Sequence, residues 1–265
     1  MKINLKNKLA LITAASSGIG LGVAKTLSLA GAQIAICARN ERKLNESAKL
    51  IVKETGSKNV LTLAGDIGNI DFLEKMVDKT TDYFGKNVDI LINNNGGPPS
   101  LDTFEITENQ WREALDINLM SVIRLCKLVA PEMKKKGWGR IVNLTSMVGK
   151  EPEQGLVLSS VARAGVSAYS KTIAQDLGPF GITANTILTG GCLTERLFDL
   201  LHQEIEGTDE NIDDAISRIS ESVPTRFIAK PEQFAQTILY LVSEEASFLN
   251  GTSIPLDGGV SKSIF

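Results

Sequence analysis

The chain has 265 residues, 43% of them hydrophobic and 22% charged, with a formal net charge of −3 and a sequence pI of about 5.4. This length and composition suffice to bury a sizeable core and fall within the range of a single α/β domain. The acidic balance argues against nucleic acid as a partner, because phosphates require a clustered basic face.

The three cysteines, Cys37, Cys126 and Cys192, are widely spaced and contain no CxxC pair. They indicate neither a disulfide framework nor a zinc cluster, and they fit a reducing cytoplasm. The first residues carry lysines before a short apolar run, but that run breaks at Ser16-Ser17-Gly18. No stretch approaches the ~18 apolar residues that a membrane span requires. We therefore expect a soluble, cytoplasmic protein with no membrane partner.

Apolar runs of strand length alternate with longer segments of helical period, which is typical of repeated β–α–β units. The predicted strands are Leu9–Thr13, Gln33–Cys37, Val60–Ala64, Val88–Asn93, Arg140–Thr145, Thr183–Leu188 and Thr252–Leu256. Helices are predicted near Gly18–Ala30, Arg42–Glu54, Asp71–Phe84, Trp111–Met133, Gly155–Leu177 and Pro231–Ser243. Several strands are almost continuously apolar, as parallel strands buried on both faces should be. We predict a doubly wound parallel sheet in three layers, α/β/α, forming one Rossmann-fold domain over residues 1–265.

The segment Thr194–Ser222 differs in composition, since its many acidic residues face only Arg196 and Arg218. It is either a helical lid over a substrate, at about residues 191–228, or a solvated surface insertion, which is the commoner meaning of such composition. Its position directly after the sixth strand keeps the lid interpretation open. The sole histidine, His202, lies here without a cluster of further ligands, so neither a metal site nor a Ser-His-Asp triad is predicted.

The first strand runs into a turn of small residues, Thr13–Gly20, and then into a helix. Such a turn lets a pyrophosphate approach the backbone amides and the positive end of the helix dipole. Tight turns also use glycine for purely conformational reasons. As a nucleotide site, the turn predicts cofactor contacts from Thr13, Ala15, Ser16, Ser17, Gly18, Ile19 and Gly20.

The second strand leads into Arg39, about 20 residues beyond the glycine turn. A carboxylate here would bind the ribose 2′-hydroxyl of NAD, whereas an arginine suits the 2′-phosphate of NADP. Arg39 therefore favours NADP(H) over NAD(H), although it could also be an exposed loop arginine. Asp66, after the third strand, is a candidate adenine contact or a simple turn residue.

Three motifs resemble those of the short-chain dehydrogenase/reductase family, and the resemblance spans nearly the whole chain. Thr13–Gly20 resembles the TGxxxGxG turn, Asn93–Gly96 resembles NNAG, and Leu256–Gly259 resembles the C-terminal DGG ending. The resemblance implies further cofactor contacts at Ile67, Asn93, Asn94, Gly190 and Thr194. The chain departs from the family pattern at Ala14, Asn95 and Thr189.

Two polar residues stand where the fold would place a catalytic centre. Asn118 shares a helical stripe with Leu115 and Leu119, where a polar amide needs partners. Ser146 follows the fifth strand, at the edge where open α/β sheets bind ligands. Each could be an ordinary structural residue. The resemblance implies that Asn118 organises a water on the proton path and that Ser146 hydrogen-bonds the substrate oxygen.

The family's YxxxK motif, a tyrosine acid/base and a lysine, is missing. The corresponding positions are Ser159 and Arg163, which keep the i,i+4 spacing on one helical face. Tyr169 is ten residues further along, roughly 15 Å away at ~1.5 Å per residue, and we expect it to pack in the core. Arginine stays protonated and cannot relay a proton, but it can hydrogen-bond ribose hydroxyls and supply a fixed charge.

Two classes of function follow. The first is an NADP(H)-linked oxidoreductase that interconverts a ketone and a secondary alcohol, similar to 3-oxoacyl-thioester reductases. In it Ser146 and Ser159 orient the substrate oxygen, Arg163 anchors the cofactor, and water completes the proton transfer. The second is a non-catalytic dinucleotide-binding protein or oligomer partner. The resemblance also implies a homotetramer or homodimer, consistent with the apolar helix Val157–Leu177.

Overall fold

The computed structural model describes residues 3–58 and 60–264, and it contains a seven-stranded parallel sheet in the order β3-β2-β1-β4-β5-β6-β7. The strands are β1 (Leu9–Ile12), β2 (Gln33–Ala38), β3 (Val60–Ala64), β4 (Ile90–Asn93), β5 (Gly139–Ser146), β6 (Ile182–Thr189) and β7 (Ser253–Leu256). Each predicted strand is present, with ends that differ by at most two residues. The predicted single-domain, doubly wound parallel sheet is confirmed.

Helices cover both faces of the sheet. They are α1 (Gly18–Leu29), α2 (Glu41–Thr55), α3 (Ile70–Phe84), α4 (Glu108–Leu115), α5 (Ser121–Lys136), α6 (Val157–Leu177), α7 (Glu195–Glu204), α8 (Ile212–Ser222) and α9 (Pro231–Leu241). Alternate residues of β1 point to opposite faces, so Ala10 and Ile12 join a core with α1, α2 and α9, while Leu11 joins a core with α3, α5 and α6. The sheet is therefore buried on both sides, as its continuous apolar strands require.

The prediction of one continuous helix near Trp111–Met133 is wrong, because the helix is interrupted. A π-helical turn, Asp116–Met120, separates α4 from α5. An apolar stripe at a spacing of four residues cannot reveal the extra residue of a π turn, because the stripe continues on both sides of it. Tertiary contacts hold the turn in place: Arg124 donates to Asp116 Oδ1 over 2.8 Å and to the Gly68 carbonyl over 3.0 Å. Turns of this kind occur frequently at functional sites, and this one contains Asn118.

The acidic segment after β6 forms two helices, α7 and α8. Side-chain caps begin both: Thr194 Oγ1 accepts from the Leu197 amide, and Asn211 Oδ1 accepts from the Asp213 and Asp214 amides. Arg218 on α8 pairs with Glu204 at the end of α7. The segment is thus helical, as the lid interpretation supposed, and α7 borders the sheet edge at which β6 ends.

Among residues 3–58 and 60–264, no helix combines the length and apolar character needed to cross a bilayer. Within the same ranges, no group of three or more histidine, cysteine or acidic side chains is arranged to hold a metal ion. All three cysteines are free and buried.

Candidate active site

A cavity of about 1120 Å³ opens at the carboxyl ends of the central strands, where open α/β sheets bind ligands. It exceeds the ~300–1,000 Å³ of ordinary ligand pockets, so there is space for more than one molecule. The sequence-predicted site residues that line it are Ser16, Ser17, Gly18, Ile19, Arg39, Asp66, Ile67, Asn94, Asn118, Ser146, Ser159, Arg163, Gly190 and Thr194. The fold thus brings the predicted cofactor and catalytic residues to one place.

Four other predicted cofactor contacts lie behind the cavity wall: Thr13, Ala15, Gly20 and Asn93. Thr13 Oγ1 donates to the Asn94 carbonyl over 2.6 Å and accepts from the Asn94 amide over 2.8 Å, which joins the tips of β1 and β4. The Ala15 amide donates to the Cys37 carbonyl, and Asn93 Nδ2 donates to Asn143 Oδ1 on β5. These hydrogen bonds connect neighbouring strands and so stabilise the wall of the cavity.

The glycine turn leaves the first amides of α1 open to the cavity. Ser17, at the N-cap, makes no side-chain capping bond, and the first turn of α1 contains no acidic residue. By contrast, α2, α3, α7 and α8 each begin with a side-chain cap. The turn is also tightly packed, since a Cβ on Gly20 would lie 2.5 Å from the Ala14 carbonyl oxygen. Unsatisfied amides at a helix N-terminus fit a phosphate group, so this end of the cavity suits a dinucleotide.

At the opposite side of the turn, two basic side chains line the cavity where β2 ends. Arg39 is exposed, and Lys43 lies in the first turn of α2. Lys43 Nζ forms an ion pair with Glu195 at the start of α7. Sequence reasoning missed Lys43, although its position four residues after Arg39, at the cavity end of a helix, was a usable signal. Asp66 Oδ1 accepts from the Gly68 amide over 2.9 Å, so it stabilises its own turn as well as lining the cavity.

The catalytic side of the cavity is built by the end of β5 and the start of α6. Arg163 Nε donates to Ser159 Oγ over 3.1 Å, and Nη1 donates to the Leu144 carbonyl over 3.4 Å. Gly149 lets the loop after β5 lie against α6, because a Cβ there would be 3.0 Å from Arg163 Cβ. Ser146 Oγ accepts a long bond of 3.4 Å from the Val148 amide, which leaves its hydroxyl hydrogen for a ligand.

Arg163 is a buried cation without an acidic partner. Arg163 is only 7% exposed, and none of the described carboxylates lies within ion-pair distance of its guanidinium group. Burial lowers its pKa to about 10, and the positive charge of Arg196 acts in the same direction. Arg196, on α7, donates to the Gly97 carbonyl over 3.0 Å. Sequence reasoning missed Arg196, since nothing in an acidic segment marks one of two arginines as facing Gly97.

The π turn places a buried amide beside the cavity. Asn118 is 2% exposed, and its Nδ2 donates to the Ala114 carbonyl over 3.0 Å. Its Oδ1 is buried and has no hydrogen-bond partner among the described residues, and the same holds for Asn95 Oδ1. A buried acceptor without a partner indicates a position for a water molecule or a ligand donor.

Comparison with known proteins identifies the family. A family model described as Enoyl-(Acyl carrier protein) reductase matches residues 13–261. The short chain dehydrogenase/reductase astE of Aspergillus oryzae is 32% identical over 262 residues, covering 98% of this chain and 97% of that protein. The chain belongs to the short-chain dehydrogenase/reductase family. The resemblance inferred from the three motifs is thereby confirmed.

Two further relatives of this short-chain dehydrogenase/reductase carry more specific descriptions. The 3-oxoacyl-[acyl-carrier-protein] reductase FabG of Vibrio cholerae serotype O1 is 31% identical, over 97% of this chain and 99% of that protein. The L-sorbose reductase of Gluconobacter frateurii, solved with NADPH and L-sorbose, superposes with a TM-score of 0.95 at 27% identity, over 100% of both chains. Both relatives are oxidoreductases, which is the chemistry of the family.

Tyr169 does not line the cavity. Its hydroxyl donates to the Ile123 carbonyl over 3.5 Å, and its ring packs against the core on the α3, α5 and α6 side. Burial raises the pKa of this phenol above its ordinary value. The expectation that Tyr169 packs is confirmed, and no tyrosine is found among the described residues that line the cavity.

Proposed function

We propose that the protein is an NADP(H)-dependent oxidoreductase that interconverts a ketone and a secondary alcohol. The observation that carries this proposal is the single cavity described above. One end offers the open amides of α1 to a phosphate, and the other gathers Asn118, Ser146, Ser159 and Arg163. A dinucleotide lying across this space would bring its nicotinamide to the polar end, where a small carbonyl compound also fits.

The preference for NADP(H) rests on charge at the end of β2. Arg39 and Lys43 both border this end of the cavity, and Ala38 stands where a carboxylate would bind an unmodified ribose. Two cations here suit a 2′-phosphate, which carries up to two negative charges. The NADPH complex of the related L-sorbose reductase supports the same preference.

The cofactor, when bound, supplies the hydride, and the chain's residues position and polarise the carbonyl group. The hydroxyl group of Ser146 donates a hydrogen bond to the carbonyl oxygen of the substrate. Ser159 acts beside it: because its Oγ accepts from Arg163 Nε, its own hydrogen points to another acceptor. Arg163 remains positively charged at neutral pH, so it would hold the nicotinamide ribose through hydrogen bonds and would stabilise the negative charge that develops on the substrate oxygen.

Proton delivery is the step in which this centre differs from a tyrosine-based one. Neither an alkyl hydroxyl nor a guanidinium with a pKa of about 10 matches a working pH near 7. We propose that water delivers the proton and that the unpartnered Oδ1 of Asn118 holds this water. The chemical step should therefore be slow compared with that of an enzyme carrying a tuned acid.

The test uses purified protein, NADPH and a panel of ketones, with oxidation of NADPH measured by absorbance. We expect turnover that falls at least about 10-fold in Ser146→Ala, the loss typical of one oriented hydrogen-bond donor. Ser247→Ala, at an exposed serine outside the cavity, is the matched control and should retain full activity. Tight NADPH binding without turnover of any ketone would overturn the catalytic proposal and favour a non-catalytic dinucleotide-binding protein.

A further inference from the structure

Two arginines at the catalytic end of the cavity have no acidic partner. Neither Arg163 nor Arg196 lies within 4.0 Å of a described carboxylate, and the guanidinium of Arg163 is almost fully buried. The nearby Glu195 is already paired with Lys43. Burial lowers the pKa of Arg163, and the positive charge of Arg196 lowers it further. Asp66, Glu113, Glu195 and Asp199 also line the cavity, but none of them forms a direct ion pair with either arginine.

Both guanidinium groups retain unused donors. A guanidinium has five N–H groups, of which Arg163 uses two, on Ser159 and Leu144. Arg196 uses one, on Gly97, and a Cβ at Gly97 would lie only 2.8 Å from Arg196 Nη2. The glycine thus allows Arg196 to lie flat against the loop after β4, with its remaining donors free for a ligand. Arg196 is exposed, whereas the charge of Arg163 is buried without an acidic partner, which is costly and indicates that a bound anion compensates it.

The anionic groups of the cofactor are already matched elsewhere in the cavity. The open amides of α1 suit the pyrophosphate, and Arg39 with Lys43 suits the 2′-phosphate. The nicotinamide ribose, which Arg163 would hold through hydrogen bonds in the proposed function, carries no charge. The cofactor therefore leaves the charges of Arg163 and Arg196 without a neutralising partner, so both can attract a negative charge on the substrate.

We propose that Arg163 and Arg196 together recognise a carboxylate on the substrate, so that the ketone is a keto acid. This inference rests on the proposed function and names its substrate class. The planar fork of Arg196, exposed at the cavity, matches the two oxygens of a carboxylate, and the buried charge of Arg163 adds long-range attraction. Binding the carboxylate orients the keto group toward Ser146 and the hydride donor.

The experiment compares matched acids and esters on the protein loaded with NADPH. Acetoacetate is tested against methyl acetoacetate, and 4-oxopentanoate against its methyl ester, by kcat/KM and by calorimetric binding to the NADP⁺ complex. We expect the better acid to exceed its ester about 10- to 100-fold, as loss of a charge-assisted hydrogen bond implies. Arg196→Gln should abolish this preference, Arg196→Lys should retain part of it, and neither should change the Kd of NADPH. Arg112→Gln removes the same charge from an exposed pair with Glu108 and should behave as the wild type.

Each outcome has a separate meaning. If acids and esters behave alike, or if neither binds, the carboxylate inference is overturned while NADPH-dependent turnover still supports the proposed function. If Arg196→Gln weakens NADPH itself, Arg196 binds the cofactor and the inference is also overturned. Preference for inorganic phosphate over both acids would identify a phosphate site instead. If acids bind through Arg196 but no ketone is reduced, the carboxylate site stands and the proposed oxidoreductase activity fails.

Discussion

Arg163 Nε donates to Ser159 Oγ over 3.1 Å, one helical turn apart, at the buried end of the cavity. The i,i+4 spacing that places two side chains on one face of α6 is therefore used for a direct hydrogen bond. The bond fixes the guanidinium beside the carboxyl end of β5, where Nη1 also contacts the Leu144 carbonyl. In the proposed function, this buried cation and the serine take the place of a titratable tyrosine and lysine.

A rigid buried cation should lower the stability of the free protein. Replacing Arg163 with methionine removes the desolvation cost of a charge whose pKa is held near 10, at the loss of two hydrogen bonds. We expect Arg163→Met to raise the free energy of unfolding at pH 7 by about 1 to 2 kcal/mol, measured by urea denaturation, while catalysis is lost. A less stable variant would show that the protein compensates this charge in the absence of ligand.

The lowered pKa of Arg163 also predicts how the free energy of unfolding depends on pH. Because the pKa of Arg163 is lowered to about 10 in the folded state, the folded protein binds fewer protons than the unfolded chain from about pH 10 upward. The destabilising contribution of Arg163 is thus complete below pH ~10 and is relieved as the pH rises above that value. The stability difference between Arg163→Met and the wild type should therefore shrink above pH ~10. A difference that stayed constant to pH ~11 would contradict the assignment.

Cofactor preference should depend on both cations at the end of β2. We expect Arg39→Ala and Lys43→Ala each to weaken NADPH by about 10-fold, the value of one charge-assisted contact to phosphate, and to leave NADH nearly unchanged. Fluorescence titration measures both. Arg42→Ala is the control, because Arg42 pairs with Glu46 in solvent and does not line the cavity. Equal losses for NADPH and NADH would place the 2′-phosphate elsewhere.

The role of the glycine turn in binding NADPH can be tested by substituting one glycine with alanine. A Cβ on Gly20 would lie 2.5 Å from the Ala14 carbonyl oxygen, so Gly20→Ala should displace the turn and weaken NADPH at least about 10-fold. Gly85→Ala is a matched control, since its φ of 65° strains any side chain while its surroundings are open. We expect Gly85→Ala to cost about 1 kcal/mol of stability with an unchanged Kd. If both variants bind NADPH as the wild type does, the turn does not hold the pyrophosphate.

Restoring a titratable pair tests the proposed route of the proton. The double variant Ser159→Tyr, Arg163→Lys should increase kcat for a neutral ketone about 10- to 100-fold if proton transfer alone limits the wild type. Its rate should also acquire a pH dependence that the wild type lacks between pH of about 6 and 9. No gain in a folded double variant that still binds NADPH would indicate that the pocket, as well as the acid, has been remodelled.

The sequence predicted the sheet and the glycine turn because both depend on local patterns. Continuous apolar strands and a turn of small residues are dictated by burial and by close backbone approach, which leave a direct mark at each position. The π turn at Asp116–Met120 was missed because the apolar stripe passes through it unchanged. Arg196 and Lys43 were missed for another reason: only the fold brings α7 and α2 to the edges of one cavity.

The proposed activity requires a nucleotide bound at the open amides of α1, and a direct titration of the purified protein with NADPH and NADH tests this requirement. The prediction is saturable binding of NADPH, at least about 10-fold tighter than that of NADH, as expected for a 2′-phosphate held by Arg39 and Lys43. Absence of saturable binding by either nucleotide would contradict a nucleotide site at the N-terminus of α1.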